Sequence, residues 1–189
     1  MLKELNKSVT IRAPSRRDEA TFLAAVRRSR KLHRPWVSPP ATAKAFRAYL
    51  ARQRTTSHAA FFVWSREHDD LVGVVNLSEI VRGNFQSGYL GYYAFAPYAG
   101  RGLMRGGLAQ VVAHAFKRLR LHRLEANIQP GNIASRKLVG SLGFRHEGFS
   151  QRYLKVAGCW RDHERWAILA EDWPRSLRYR NAPETAHEE

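Results

Sequence analysis

Two glycines flank a single arginine in Gly100-Arg-Gly102-Leu-Met104, between an apolar run that ends at Phe95 and a run of helical spacing that begins at Met104. Strand, glycine turn and helix in that order gather unpaired amide N–H groups and the positive end of a helix dipole at one point, which makes a cradle for an anion. Such a cradle needs a phosphate-bearing partner. Two familiar nucleotide loops fail against it. No lysine followed by Ser or Thr comes after the glycines, and Gly100, Gly102 and Gly106 miss the dinucleotide spacing by one residue. The signal points to another pyrophosphate carrier.

The elements that must hold this cradle can be read from periodicity and punctuation. Residues 9–12 read as a first strand, and Ser15 caps a helix with Asp18 and Glu19 in its first turn and Phe22, Leu23 and Val26 on its apolar face. Pro35, Pro39 and Pro40 make residues 32–40 a loop, in which Trp36 either lines a pocket or packs into the core, the second being favoured. A second helix spans 43–52 behind Thr42. Residues 58–65, 71–80 and 89–95 are rich in aromatic and β-branched side chains, with turns at 68–70 and 82–84, and read as an antiparallel meander. A helix over 104–120, a strand over 123–128, a helix over 132–142 capped by Asn132 and stopped by Gly143, and two strands turning at Ala157-Gly158 complete the chain. The fold class is α/β, a sandwich with a mixed, mostly antiparallel central sheet flanked by helices. Residues 1–173 are expected to form one domain and 174–189 a poorly ordered tail.

The chain has 189 residues, 44% of them hydrophobic, enough for one core of ordinary size. No stretch has the apolar length of a membrane span, and the first twelve residues lack a secretory pattern, so no membrane partner and a cytoplasmic location are expected. The lone Cys159 cannot close an internal disulfide, and with His163 it falls short of a metal-ligand set, so no metal is expected. The formal net charge of +16 is concentrated early, in Arg16, Arg17, Arg27, Arg28, Arg30, Lys31, Arg34, Lys44, Arg47, Arg52 and Arg54. Singly these are solvated helix faces; together they attract phosphate-rich cofactors, RNA or acidic protein. No helix-turn-helix, zinc finger or aromatic RNA-binding signature accompanies them.

Three stretches carry a resemblance: Gly100 to Met104; Arg123-Leu-Glu-Ala-Asn127 with Pro130-Gly-Asn132-Ile-Ala-Ser135 and Leu142-Gly-Phe144; and Glu147-Gly148 followed by Tyr153-Leu154 and Gly158-Cys-Trp-Arg-Asp162-His163. In this order the chain resembles the GNAT family of N-acetyltransferases, and within it the RimJ/RimL group that acetylates N-terminal amines of ribosomal proteins. The resemblance covers nearly the whole fold. It implies acetyl-CoA as co-substrate, its pyrophosphate on the amides of Ala99, Gly100, Arg101, Gly102, Leu103 and Met104. The pantetheine arm would run along Tyr92, Tyr93, Ala94 and Phe95, with Asn132 and Ser135 near the thiol. A splayed strand edge there would leave amides free to polarise the thioester carbonyl.

By the same resemblance Ser135 is the proton donor to the leaving thiolate, with a helix N-terminal hydrogen bond as the competing role. Direct transfer to a neutral amine is expected, without a covalent enzyme intermediate. Two positions depart from the family pattern. Ala99 stands where Gln or Arg is frequent, and Arg152 stands where relatives carry an acidic residue proposed as general base. Glu79 is then a candidate base or water-orienting group, against the reading of a solvated edge carboxylate; Glu147, Asp162 and Glu164 are alternatives. An α-amine with a reference pKa of about 8 needs little help near neutrality. Trp36, Tyr92 and Tyr153 are candidates for the substrate groove. The acceptor implied is a protein N-terminus, a ribosomal protein above all, with ribosome or RNA association through the basic surface. A small amine or antibiotic as acceptor, and a non-catalytic acyl-CoA sensor or RNA-associated scaffold, are the rival readings.

Overall fold

The computed structural model describes residues 7–53 and 55–173; the expected C-terminal tail lies outside the described residues. Among the described residues the helices that lie wholly within them are α1 Glu19–Arg28, preceded by a 3-10 turn at Arg16–Asp18, then α2 Arg30–His33, α3 Ala43–Arg52, α4 Leu103–Lys117 and α5 Ile133–Gly140. Seven strands among the described residues form one sheet: β1 Val9–Arg12, β2 Ala59–Ser65, β3 Leu71–Val81, β4 Ser87–Ala94, β5 Arg123–Ile128, β6 Arg145–Val156 and β7 Cys159–Leu169. Their spatial order is β1-β2-β3-β4-β5-β7-β6. Every neighbouring pair is antiparallel except β4 and β5. That parallel pair requires a crossover, which α4 supplies. The expected mixed sandwich is the observed one.

Side chains alternate between two apolar layers. On one face α4 and α5 bury Leu108, Val111, Val112 and Val139 against Val72, Val75, Leu77, Leu124, Ala126 and Ile128. On the other, α1 and α3 bury Phe22, Val26, Phe46 and Tyr49 against Phe62, Val74, Tyr93 and Phe95. The ring of Phe22 stacks on Phe62 with centroids 5.4 Å apart, a packing worth roughly 1 kcal/mol beyond area burial. Thr42 caps α3 by accepting from the Ala45 amide at 3.2 Å, as its residue type requires. Among the described residues no helix is long and apolar enough to cross a membrane.

The structure redraws some boundaries. Ser15 caps only the 3-10 turn, because its amide donates to the Asp18 carboxylate at 2.7 Å while Arg12 also holds that carboxylate at 2.5 Å, and the α-helix begins one residue later. The loop expected from residue 32 starts after His33, which α2 absorbs. Trp36 is half-buried and belongs to neither core layer; its ring covers the turn at Gly131, where an added Cβ would meet it at 3.2 Å.

The feature that positions everything else is a fork in the sheet. Strands β4 and β5 share only the rungs Ser87 to Arg123, Gly88 to Leu124 and Tyr89 to Glu125. Beyond them β4 continues along β3 until Ala94 faces Gly73, and β5 continues along β7 until Ile128 faces Glu164. The β4 edge from residue 90 to 94 therefore has no strand partner on its β5 side, and its outward amides have no ladder acceptor there.

Candidate active site

The cradle forms where β4 ends. Four contacts tie the connecting loop to α1, α2 and the start of β3: His33 Nε2 donates to the Ala94 carbonyl at 2.9 Å, Arg28 Nε donates to the Ala96 carbonyl at 2.6 Å, the Ala96 amide donates to Ser29 Oγ at 2.9 Å, and the Tyr98 hydroxyl donates to Asp70 at 3.1 Å. Gly100 and Gly102 then take φ of 80° and 79°, the left-handed region in which a Cβ is strained. Gly102 is the residue before α4, and the Arg105 amide closes the first turn on its carbonyl at 3.0 Å. The amides of 102–104 are left without intrahelical acceptors at the positive end of a fifteen-residue helix. At Gly100 an added Cβ would meet nothing within 4 Å, so the concave side is open. These residues fit a pyrophosphate. Ala99 offers no polar side chain, and Arg101 is exposed beside the Tyr98 ring.

On the α4/α5 face the fork is bridged by the pair Tyr92 and Ser135. The Tyr92 hydroxyl donates to the Ser135 carbonyl at 3.2 Å, and the Ser135 amide donates to Asn132 Oδ1 at 3.1 Å. Burial pushes the Tyr92 phenol well above its ordinary range, outweighing the contact with Ser135, so it stays a donor near neutrality. Asn132, Ser135 and Tyr92 thus come together at the open side of β4, next to the strand that carries Ala94. Tyr92 lies on the opposite side of β4 from Tyr89 and Tyr93.

The other face of the fork holds a second set. Tyr49 on α3 donates to Asn76 Oδ1 at 2.7 Å, and the neighbouring Tyr93 hydroxyl and Asn127 Oδ1 are buried without a hydrogen-bond partner. The Tyr89 hydroxyl is pushed up to about 12, by burial first and then by its hydrogen bond with Tyr153, which reaches over from β6. Arg123 binds Glu125 at 2.9 Å and Glu147 at 3.1 Å, and this pairing holds the Glu147 carboxyl below its usual range. Trp36 closes the rim, its carbonyl accepting from Gln129 Nε2 at 3.4 Å.

Several expected residues stand apart. Glu79 occupies the bulge of β3 with a left-handed φ of 48°, its side chain 70% exposed and 4.0 Å from His58 Nε2. It lies three residues along β3 from Asn76, roughly 10 Å from the fork. Asp162 accepts from the Arg152 amide at 2.7 Å and so supports the bulge of β6, while Arg152 turns its side chain to solvent. Glu164 pairs with Arg136 at 3.0 Å. Cys159 is exposed at the β6–β7 turn. A hollow of about 400 Å³ between α3 and β2, lined by Pro14, Arg16, Arg47 and Leu50, lies two strands from the fork and holds no carboxylate or nucleophile. Asn76, Tyr89 and Asn127 are the fork residues that sequence reasoning did not select. Strand parity alone places them on one face, but only the pairing of β4 with β5 shows that this face opens.

The acetyltransferase (GNAT) domain model matches residues 8–145. The ribosomal protein uS5-alanine N-acetyltransferase of Escherichia coli (strain K12) is 36% identical over 113 residues, 60% of this chain and 58% of that enzyme, so the chain spans less than two thirds of that relative. Among solved structures, Mycobacterium smegmatis RimJ in complex with CoA-disulfide superposes with a TM-score of 0.82 at 28% identity, covering 90% of this chain and 86% of that one. Ribosomal-protein-S5-alanine acetyltransferase from Vibrio fischeri does so with a TM-score of 0.78 at 28% identity, over 88% and 96% of the two chains.

Proposed function

The chain belongs to the GNAT acetyltransferase family and is an acetyl-CoA-dependent N-acetyltransferase, and we propose that its acceptor is the α-amine at the N-terminus of a protein, a ribosomal protein in the first place. The observation that carries the acceptor is the 36% identity with a uS5-alanine N-acetyltransferase.

In this reading the amides of Gly100 and of 102–104 hold the pyrophosphate, whereas those of Ala99 and Arg101, expected to join them, already donate to the Phe95 and Tyr98 carbonyls; the partnerless edge of β4 from residue 90 to 94 holds the pantetheine arm and polarises the thioester carbonyl. Acetyl-CoA supplies an acyl group activated as a thioester. Tyr92 fixes the first turn of α5, and Ser135 in that turn donates a proton to the departing thiolate. No strong base is assigned. The carboxylates around the fork are engaged, Glu125 and Glu147 both by hydrogen bonds from Arg123 and Glu164 by Arg136, and an α-amine with a pKa near 8 reaches its nucleophilic form by losing a proton to solvent.

The test is release of thiol from acetyl-CoA with peptides beginning Ala, Ser or Met, with polyamines and with aminoglycosides, the acetyl group being located by mass spectrometry. Acetyl on a peptide α-amine is the expected result. Acetyl on a polyamine or aminoglycoside alone overturns the acceptor class, and acetyl-CoA binding without turnover on any amine overturns the enzymatic reading in favour of a sensor.

A further inference from the structure

The ladder registers line up one row of residues across the fork. Asn76 pairs with Gly91, and Asn127 pairs with Arg165. Extending the parallel register of Tyr89 to Glu125 by two residues sets Gly91 opposite Asn127, just past the point where the strands part. Directly opposed residues share a face, so Asn76, Gly91, Asn127 and Arg165 form a polar row on the α1/α3 face, behind the Tyr92–Ser135 bridge. Gly91 is exposed, and a Cβ added there meets nothing within 4 Å, so the floor of the row is open. The Oδ1 of Asn127 beside it is buried and unpartnered. A buried acceptor without a donor is costly unless something supplies the donor.

We propose that the acceptor amine enters over Gly91, that Asn127 Oδ1 takes one of its N–H bonds, and that the cleft selects a single amine over a polycation. The selectivity follows from the surrounding charges. Glu125, two rungs away, is hydrogen-bonded by Arg123, the next carboxylate, Glu147, is held by the same arginine, and Arg165 closes the end of the row. A chain of ammonium groups finds no free carboxylates here, whereas one N-terminal amine needs only neutral acceptors. The inference rests on the acceptor reading given under Proposed function, and its test separates the two.

Binding of a tetrapeptide beginning with alanine, and of spermidine, is measured by calorimetry on the CoA-loaded protein, for wild type, Asn127→Ala and Gly91→Leu. Gly91 has an ordinary φ and open space for a Cβ, so a side chain there is not strained, and thermal unfolding checks the fold of the leucine variant. The expected result is peptide binding weakened about tenfold by Asn127→Ala, as for one lost hydrogen bond to a buried group, with CoA affinity changed less than about twofold in that variant, and peptide binding abolished by Gly91→Leu. Spermidine binds more weakly than the peptide. Wild-type peptide affinity in Gly91→Leu overturns the entry path, and an unchanged Asn127→Ala overturns the role of the amide. Tighter binding of spermidine than of peptide by wild type overturns the selectivity, and a wild type that binds neither overturns the acceptor reading on which the inference rests.

Discussion

Ser135 stands at the third residue of α5, its amide on Asn132 Oδ1 and its carbonyl on the Tyr92 hydroxyl, so its backbone is held from both sides. A residue fixed in this way loses little order when its hydroxyl is removed, and Ser135→Ala reports on proton donation rather than on folding. A CoA thiolate is a fair leaving group, so the expected loss is toward the low end of acid–base effects, about tenfold to a hundredfold in kcat with KM for acetyl-CoA nearly unchanged. Steady-state kinetics decide this; a rise in KM at constant kcat assigns Ser135 to cofactor binding instead. Glu79 predicts the opposite. Its carboxylate is 70% exposed and faces His58 at 4.0 Å, outside the fork. Glu79→Gln is expected to change kcat/KM by less than about threefold, and a pH–rate profile that loses its acidic limb in this variant makes Glu79 the base after all.

The elements that carry these residues meet at close quarters where α4 crosses the sheet. A Cβ at Gly73 on β3 would lie 2.3 Å from Met104 Sδ and 2.6 Å from the Tyr93 carbonyl. The sulfur can swing aside, but the carbonyl is backbone of β4 on its β3 side. Gly73→Ala is therefore expected to cost about 1–3 kcal/mol of stability and to raise KM for acetyl-CoA, because it pushes the first turn of α4 and the end of β4 apart. Thermal unfolding and cofactor titration test the two effects together. His33 holds the same end of β4 from the other side, donating from Nε2 to the Ala94 carbonyl with Nδ1 buried and unpartnered. Burial lowers its pKa below 6.5 in the folded protein. Between that lowered value and 6.5 the unfolded chain binds more protons, so stability rises with pH through this window and is lost as pH falls below about 6.5. Equilibrium unfolding at pH 7.5 and 5.5 is expected to show this loss, and His33→Gln to remove part of it. These elements were largely legible in the sequence. β1, α3 and β5 lie where apolar spacing and the Thr42 cap put them, and Gly100 and Gly102 marked the left-handed turn ahead of α4. The fork was only partly so: it depends on a parallel ladder stopping after Tyr89, which no local pattern encodes. For this reason Asn127 entered only within the strand 123–128 and the stretch that carries the resemblance, and not as a residue of the site.

At the scale of the whole molecule the dominant quantity is charge. The chain carries a formal +16, and exposed Arg27, Arg30, Lys31 and Arg34 stand on α1 and α2 or just after them. These helices hold the loop that leads into the cradle, through Arg28 on the Ala96 carbonyl and His33 on Ala94. A field of one sign placed beside an anion site raises the encounter rate of a phosphate-rich ligand without changing the chemistry at the fork. Raising ionic strength from 0.1 to 1 M shortens the screening length from about 10 Å to about 3 Å, which removes such steering while leaving contacts inside the cradle. The rate of acetyl-CoA association, followed by stopped-flow fluorescence of the native tryptophans, is expected to fall at least about tenfold over this range, with kcat at saturating cofactor little changed. Arg27→Glu combined with Arg30→Glu and Lys31→Glu should start slow at low salt and show a flatter dependence. A salt dependence equal to that of wild type in the triple variant locates the steering field at the cradle itself, in Arg101 and Arg105. A wild-type rate indifferent to salt assigns the basic helices to some other polyanion, for which RNA binding at low salt is the direct assay.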